Sequence, residues 1–186
     1  MTGRQVEAAI ACCSFNGTRM PEGILCSMVN RQNCLQPQRW YREFRQTRMT
    51  SVQLIPQIER DASGNLSAES VQPEEWGAFL CAIFDLWVRE DINTIQIHLF
   101  ESTLAIWRGF SPQITRNMDN ACGKCSVLRL CRGACSEPPC SEDKHVLCEG
   151  YRRFFTYSAP YMKAMRDLLK QHRSPIELMA MLSQAE

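Results

Sequence analysis

The sequence predicts an α/β protein: about three parallel strands with helices, followed by a cysteine-rich, mostly helical C-terminal region. Three observations lead there. Apolar runs at 23–29, 51–55 and 94–100 alternate with helical periodicities, over connections long enough to cross between parallel strands. Cys122, Cys125, Cys131 and Cys135 are spaced Cys-x2-Cys-x5-Cys-x3-Cys, with Cys148 thirteen residues later, in a stretch with little apolar content of its own. Beyond Cys148 the apolar positions return at helical spacing.

Val6, Ala9, Ile10 and Cys13 follow a helical period from Arg4 to Cys13, broken by Asn16 and Gly17. Gly23 to Val29 (GILCSMV) has the length and flanks of a buried strand. Pro37 suits the first turn of a helix carrying Trp40, Tyr41 and Phe44. Ser51 to Ile55 (SVQLI) reads as a second strand, stopped by Pro56 and followed by the polar loop ERDASGNLSAES. Pro73, Glu74 and Glu75 open the strongest helix, in which Trp76, Phe79, Leu80, Ile83, Phe84 and Trp87 recur at three and four. Thr94 to Phe100 (TIQIHLF) alternates as a third strand, and Glu101 to Arg108 reads as a helix ended by Gly109. Cys148 to Tyr157 is helical, Ser158 and Pro160 open a helix through Gln171, and Ser174 with Pro175 opens the last one.

The 186 residues are 45% hydrophobic and 22% charged, enough for one sizeable core plus a small metal-supported appendage. A formal net charge of +1 gives no long-range attraction to DNA, RNA or an anionic membrane. Arg39, Arg42, Arg45 and Arg48 read as a solvated helix face. The start MTGRQVEAAIACC lacks the apolar core of a signal peptide, so a cytoplasmic protein is expected. The longest apolar stretch, Gly77 to Val88, is interrupted by Asp85 and is far short of the ~20 residues a spanning helix needs.

Eleven cysteines in a reducing compartment persist as buried residues or metal ligands, with disulfides ranking behind both. Cys12, Cys13, Cys26, Cys34 and Cys81 sit on or beside expected helices and strands, as small buried hydrophobes do. The cluster from Cys122 onward suits a soft metal, and its spacing alone leaves structural zinc and an iron-sulfur cube open. Cys140 is a spare ligand or an exposed loop thiol, and His145 reads as a polar loop residue. His98 reads as a packed strand residue. Glu59, Arg60 and Asp61 read as an exposed loop near the mouth of the sheet, with no histidine or second carboxylate constellation to support an acid-base pair.

The runs CGKCSVLRLCRGAC and LCEGYRRFFTYSAPYM, with VNRQN, VQLIPQIERD and PEEWGAFLCAIFDLWV upstream, resemble the C-terminal half of anaerobic sulfatase-maturating enzymes, which are radical S-adenosylmethionine proteins with a SPASM domain. The resemblance runs in order along nearly the whole chain. It implies a half radical-SAM-type barrel over 1–110 and a SPASM-like iron-sulfur domain with C-terminal helices over 111–186. It also implies one auxiliary 4Fe-4S cluster held by Cys122, Cys125, Cys131 and Cys148. In the family the counterpart of Cys135 serves a second auxiliary cluster, whose other ligands lie in a segment with the catalytic aspartate. Here GFSPQITRNMDN stands in that place without a cysteine, and no Cys-x3-Cys-x2-Cys run for the S-adenosylmethionine cluster occurs in the sequence.

The expectation is therefore an N-terminally truncated maturase-like protein with no assigned catalytic residue, retaining an electron-carrying cluster. The family reaction is oxidation of a sulfatase Cys or Ser to formylglycine, and S-adenosylmethionine is the family cofactor. The implied partners are a sulfatase polypeptide or a full-length maturase. The alternatives are a zinc- or cluster-stabilised adaptor that binds such a partner through an open sheet edge, and a gene remnant without function.

Overall fold

The computed structural model describes residues 14–15, 18–19, 24–63, 65–110, 122–131 and 146–184. The helix expected at Arg4 to Cys13 lies outside them. Two short strands, β1 (Ser14–Phe15) and β2 (Thr18–Arg19), pair antiparallel. The main sheet has three strands, β3 (Leu25–Val29), β4 (Ser51–Pro56) and β5 (Gln96–Ile97), in the order β3-β4-β5 and all parallel. Leu25 pairs with Val52 and Val52 with Ile97. That register puts Leu25, Val29, Val52, Leu54 and Ile97 on one face, where all five are buried. The other face carries Cys26, Met28, Gln53 and Ile55, of which Met28 is exposed.

After β3, Asn30 caps the short helix α1 (Arg31–Cys34), its side chain accepting the Asn33 N–H. Helix α2 (Pro37–Gln46) starts on Pro37, where a missing N–H costs nothing, and buries Trp40, Tyr41 and Phe44. The Trp40 indole N–H donates to Ser27 Oγ at 3.2 Å, fixing α2 to the first main strand. The arginine face is solvated as expected, with Arg39 paired to Glu43 and Arg45 to Glu90. Arg48 falls beyond the helix, in a turn at φ 59°.

Helix α3 (Pro73–Glu90) is the hub. The Glu75 carboxylate accepts the Gln72 N–H at 3.3 Å at its start, and Asp91 ends it. Its buried residues, among them Trp76, Phe79, Leu80, Ile83, Phe84 and Trp87, occupy so much of its circumference that α1, α2, α6 and α7 all pack on it. Asp91 is buried and accepts the Tyr41 hydroxyl at 2.8 Å.

The third strand is shorter than its alternation suggests. Only Gln96 and Ile97 pair with β4, and His98 opens helix α4 (His98–Trp107). A continued strand would turn Phe100 away from the face that Ile97 occupies, whereas a helical turn brings positions three apart to one side. Phe100 thereby reaches the core, its ring centroid 5.2 Å from Phe84 and 5.2 Å from Phe154. The helix stops as expected at Gly109, whose φ of +96° is natural only for glycine.

The two helices expected from Cys148 onward are one, α6 (Cys148–Lys170), running through Pro160. Pro160 is exposed, so the carbonyl it leaves without a donor lies on the side of the helix that meets water. The last helix, α7 (Glu177–Ser183), buries Leu178 against the hub. Among the described residues no helix is long and apolar enough to cross a membrane.

Candidate iron-sulfur site

Cys122, Cys125, Cys131 and Cys148 lie on or beside a 3-10 turn, a short helix packed against it, and the first turn of α6. A single 3-10 turn covers Cys122–Lys124, and the Cys125 N–H donates to the Cys122 carbonyl at 2.9 Å. The Leu128 N–H returns to Cys125 O at 3.1 Å and leads into α5 (Leu128–Cys131), which ends on Cys131. Cys148 is the first residue of α6. Helix α5 packs against the 3-10 turn, the end of α4 and α6.

Two apolar side chains pin these pieces to the core. Val127 is buried between Cys125 and Cys131 in sequence, and Leu147, immediately before Cys148, is wholly buried. The Arg129 guanidinium also donates to Ile106 O, at 3.4 Å, in the last turn of α4. All four thiols are themselves half-buried. Cys148 stands in the first turn of α6, at the end of the helix dipole that favours negative charge. Among the described residues no three His, Cys, Asp or Glu side chains are gathered closely enough to hold a single metal ion. Cys135, Cys140 and His145 lie outside the described residues.

The other cysteines behave differently. Cys26, Cys34 and Cys81 are buried on β3, α1 and α3, as their positions suggested. Burial pushes the Cys34 thiol up to about 12, with the Glu75 carboxylate adding to it. Burial likewise raises Cys81 to about 11. Such thiols are inert fillers.

His98 sits at the start of α4 instead of mid-strand, with its Nε2 3.2 Å from Ser51 Oγ. Loss of solvent lowers its pKa, so it is a neutral packed residue at pH 7. Glu59, Arg60 and Asp61 are exposed, and the loop they open is internally organised. Ser70 Oγ accepts the Glu59 N–H at 2.7 Å, and Asp61 accepts the N–H groups of Ser63 and Asn65. Two features escaped the sequence reasoning. Glu101 is half-buried on α4 with its pKa raised by desolvation. Gly77 and Gly150 meet where α3 crosses α6, a close approach that their helical sequence context does not announce.

A protein of Escherichia coli (strain K12), described as uncharacterized protein YidF, is 49% identical over 156 residues, which are 83% of this chain and 90% of that one. The chain belongs to the YidF family. A serine-type anaerobic sulfatase-maturating enzyme of Bacteroides thetaiotaomicron is 25% identical over an alignment of 233 residues, 84% of this chain and 56% of the enzyme. The YidF-type chain is thus a member of the sulfatase-maturase-like group. The solved structure of native anSMEcpe with bound AdoMet matches it with a TM-score of 0.62 at 17% identity, over 77% of this chain and 57% of that one. The complex of the same protein with AdoMet and the Cp18Cys peptide gives the same figures. At that identity the likeness shows the fold, a partial radical SAM α/β arrangement. The chain spans little more than half the length of the maturase and of the solved protein. No family model matches the sequence.

Proposed function

We propose that this chain is an iron-sulfur protein of the sulfatase-maturase-like group, in which Cys122, Cys125, Cys131 and Cys148 hold one auxiliary-type 4Fe-4S cluster for electron transfer. The observation that carries it is the placement of four half-buried thiols on mutually packed pieces of backbone, two of them pinned by Val127 and Leu147. Thiolates on one zinc stand roughly 3.8 Å apart, from Zn–S bonds of about 2.3 Å at tetrahedral angles. A cubane takes one thiolate at each of four irons and so suits sulfurs set further apart. The bound group would supply one-electron storage. The chain supplies four sulfurs and the partial positive charge of the α6 N-terminus against the cluster's negative charge.

In this reading residues 1–110 form the partial barrel and 111–186 the cysteine-rich SPASM-like region. The partner is a sulfatase polypeptide or a maturase, as the name of the Bacteroides relative suggests, in a reducing cytoplasm. Radical generation from S-adenosylmethionine is not assigned to these residues, because no Cys-x3-Cys-x2-Cys run occurs among them. The test is anaerobic reconstitution with iron and sulfide. The expected result is about four irons and four acid-labile sulfides per chain, with broad absorbance near ~400 nm, lost when any of the four cysteines becomes serine. A colourless protein that retains zinc, with no acid-labile sulfide, overturns it.

A further inference from the structure

Two glycines, Gly77 on α3 and Gly150 on α6, bring the backbones of these helices close together. A Cβ on Gly150 would lie 2.3 Å from the Pro73 carbonyl oxygen and 3.0 Å from the Gly77 nitrogen. Those two atoms are four residues apart in one helix, so the added methyl would crowd the backbone pair one step inside the bond that the Gln72 carbonyl accepts from the Trp76 N–H. A Cβ on Gly77 would lie 2.9 Å from Gly150 Cα and 3.0 Å from Gly150 O. Neither obstacle is the tip of a flexible side chain, so relief requires the helices to part.

Gly150 is two residues after Cys148, in the same first turn of α6. We propose that Gly77 and Gly150 are positioning residues for Cys148: their side-chain-free crossing sets the depth at which the first turn of α6 seats on α3, and with it the place of the Cys148 sulfur relative to the other three thiols. Ordinary van der Waals contact begins near 3.4 Å, so Gly150→Ala drives the turn back by about 1 Å. A ligand constellation tolerates about 0.5 Å. The neighbouring packing has no slack to absorb the shift. Leu147 is wholly buried on one side of Cys148, and the Tyr151 ring meets Trp76 edge-on, with centroids 6.0 Å apart, on the other.

The link to a cluster rests on the function proposed above, whereas the placement of Cys148 does not, and two measurements separate them. In the metal-free full chain, the rate of Cys148 alkylation by iodoacetamide is followed by peptide mass spectrometry. Gly150→Ala and Gly77→Ala are compared with Leu178→Ala, which loosens the core at α7 away from the crossing. The crossing variants are expected to label Cys148 roughly tenfold faster than wild type, with Leu178→Ala close to wild type. In the reconstituted chain, acid-labile sulfide in the crossing variants is expected at less than about half the wild-type content, with an altered electron paramagnetic resonance spectrum of the reduced cluster, and unchanged in Leu178→Ala.

A purely structural role predicts that labelling and sulfide content follow melting temperature across all three variants, and that outcome overturns the proposal. So does an unchanged Cys148 rate in both crossing variants, whatever the cluster content. Absence of sulfide in the wild type defeats the cluster reading alone, and the alkylation rates then decide the positioning role. Gly77→Ala, with the milder overlap, serves if Gly150→Ala does not fold.

Discussion

Native-state alkylation at pH 8 should divide the cysteines into two classes. An ordinary thiol with a pKa of 9.0 is about one-tenth thiolate at that pH, and only the thiolate attacks iodoacetamide. With Cys34 raised to about 12 its thiolate fraction falls by about a thousandfold, and with Cys81 raised to about 11 by about a hundredfold. Limited access compounds this, since Cys34 is 2% and Cys81 8% exposed. Cys122, Cys125, Cys131 and Cys148 are half-buried, and the helix N-terminus favours the thiolate of Cys148. In the metal-free chain these four should therefore label at least about 100 times faster than Cys34 and Cys81, and denaturant should remove the gap. The assay is timed quenching with peptide mass spectrometry. Labelling of Cys34 or Cys81 within tenfold of the slowest of the four would refute the assignment of buried, inert thiols.

Three further outcomes concern stability. Tyr41→Phe leaves the buried Asp91 carboxylate without its 2.8 Å hydroxyl donor and with Arg45 at 3.6 Å; a loss of about 1.5–3 kcal/mol is expected, seen as a fall of several degrees in Tm. Gly109→Ala meets no atom within 4 Å yet must hold a φ of +96°, so it should cost about 1–2 kcal/mol in urea unfolding although the position is exposed. The folded chain keeps protons on Cys34 and Cys81 up to about 12 and about 11, whereas unfolded thiols release theirs near 9.0. The stabilising effect is whole below pH 9 and drains away as pH rises from 9 toward 12, by about 1 kcal/mol per thiol at pH 10, so the urea midpoint should drop across that window.

The strands and helices that the sequence made legible are those whose apolar residues form a short bounded run or recur at one steady spacing. GILCSMV, SVQLI and the Pro73 helix are of this kind, and Pro37, Pro73 and Gly109 mark their boundaries through backbone chemistry that acts locally. TIQIHLF failed because Ile95 and Ile97 suit a strand, and Phe100, which a strand would turn outward, is drawn in by the aromatic cluster of Phe84, Trp87 and Phe154, which is assembled from distant segments. Pro160 misled for the complementary reason. Its cost depends on whether the opposed carbonyl faces water, which only the packing of α6 fixes. The four thiols could be read from spacing and family likeness. The glycine crossing that seats one of them could not, because a glycine within a helical pattern gives no sign of what approaches it.

The cysteine region owes its position to the α/β layer, and this argues against its folding alone. Contacts run without interruption from sheet to thiol: Ser27 holds Trp40, Trp40 meets Phe79, Phe79 stacks on Trp76, Trp76 meets Tyr151, and Tyr151 lies one helical turn from Cys148. Phe154, Phe155, Met162, Met165 and Leu168 are buried on α6, and its chief packing partner is α3. Exposing five such side chains forfeits roughly 10 kcal/mol at about 1.5–3 kcal/mol each, which is comparable with the whole stability of a domain. Residues 111–186 expressed separately should therefore show no cooperative thermal transition and should fail to assemble a cluster under conditions that load the full chain. Adding residues 24–110 as a second polypeptide should restore both. A sharp transition and four acid-labile sulfides in the isolated segment would mean that the thiols find their places without α3, and the dependence of Cys148 on the helix crossing would fall with them.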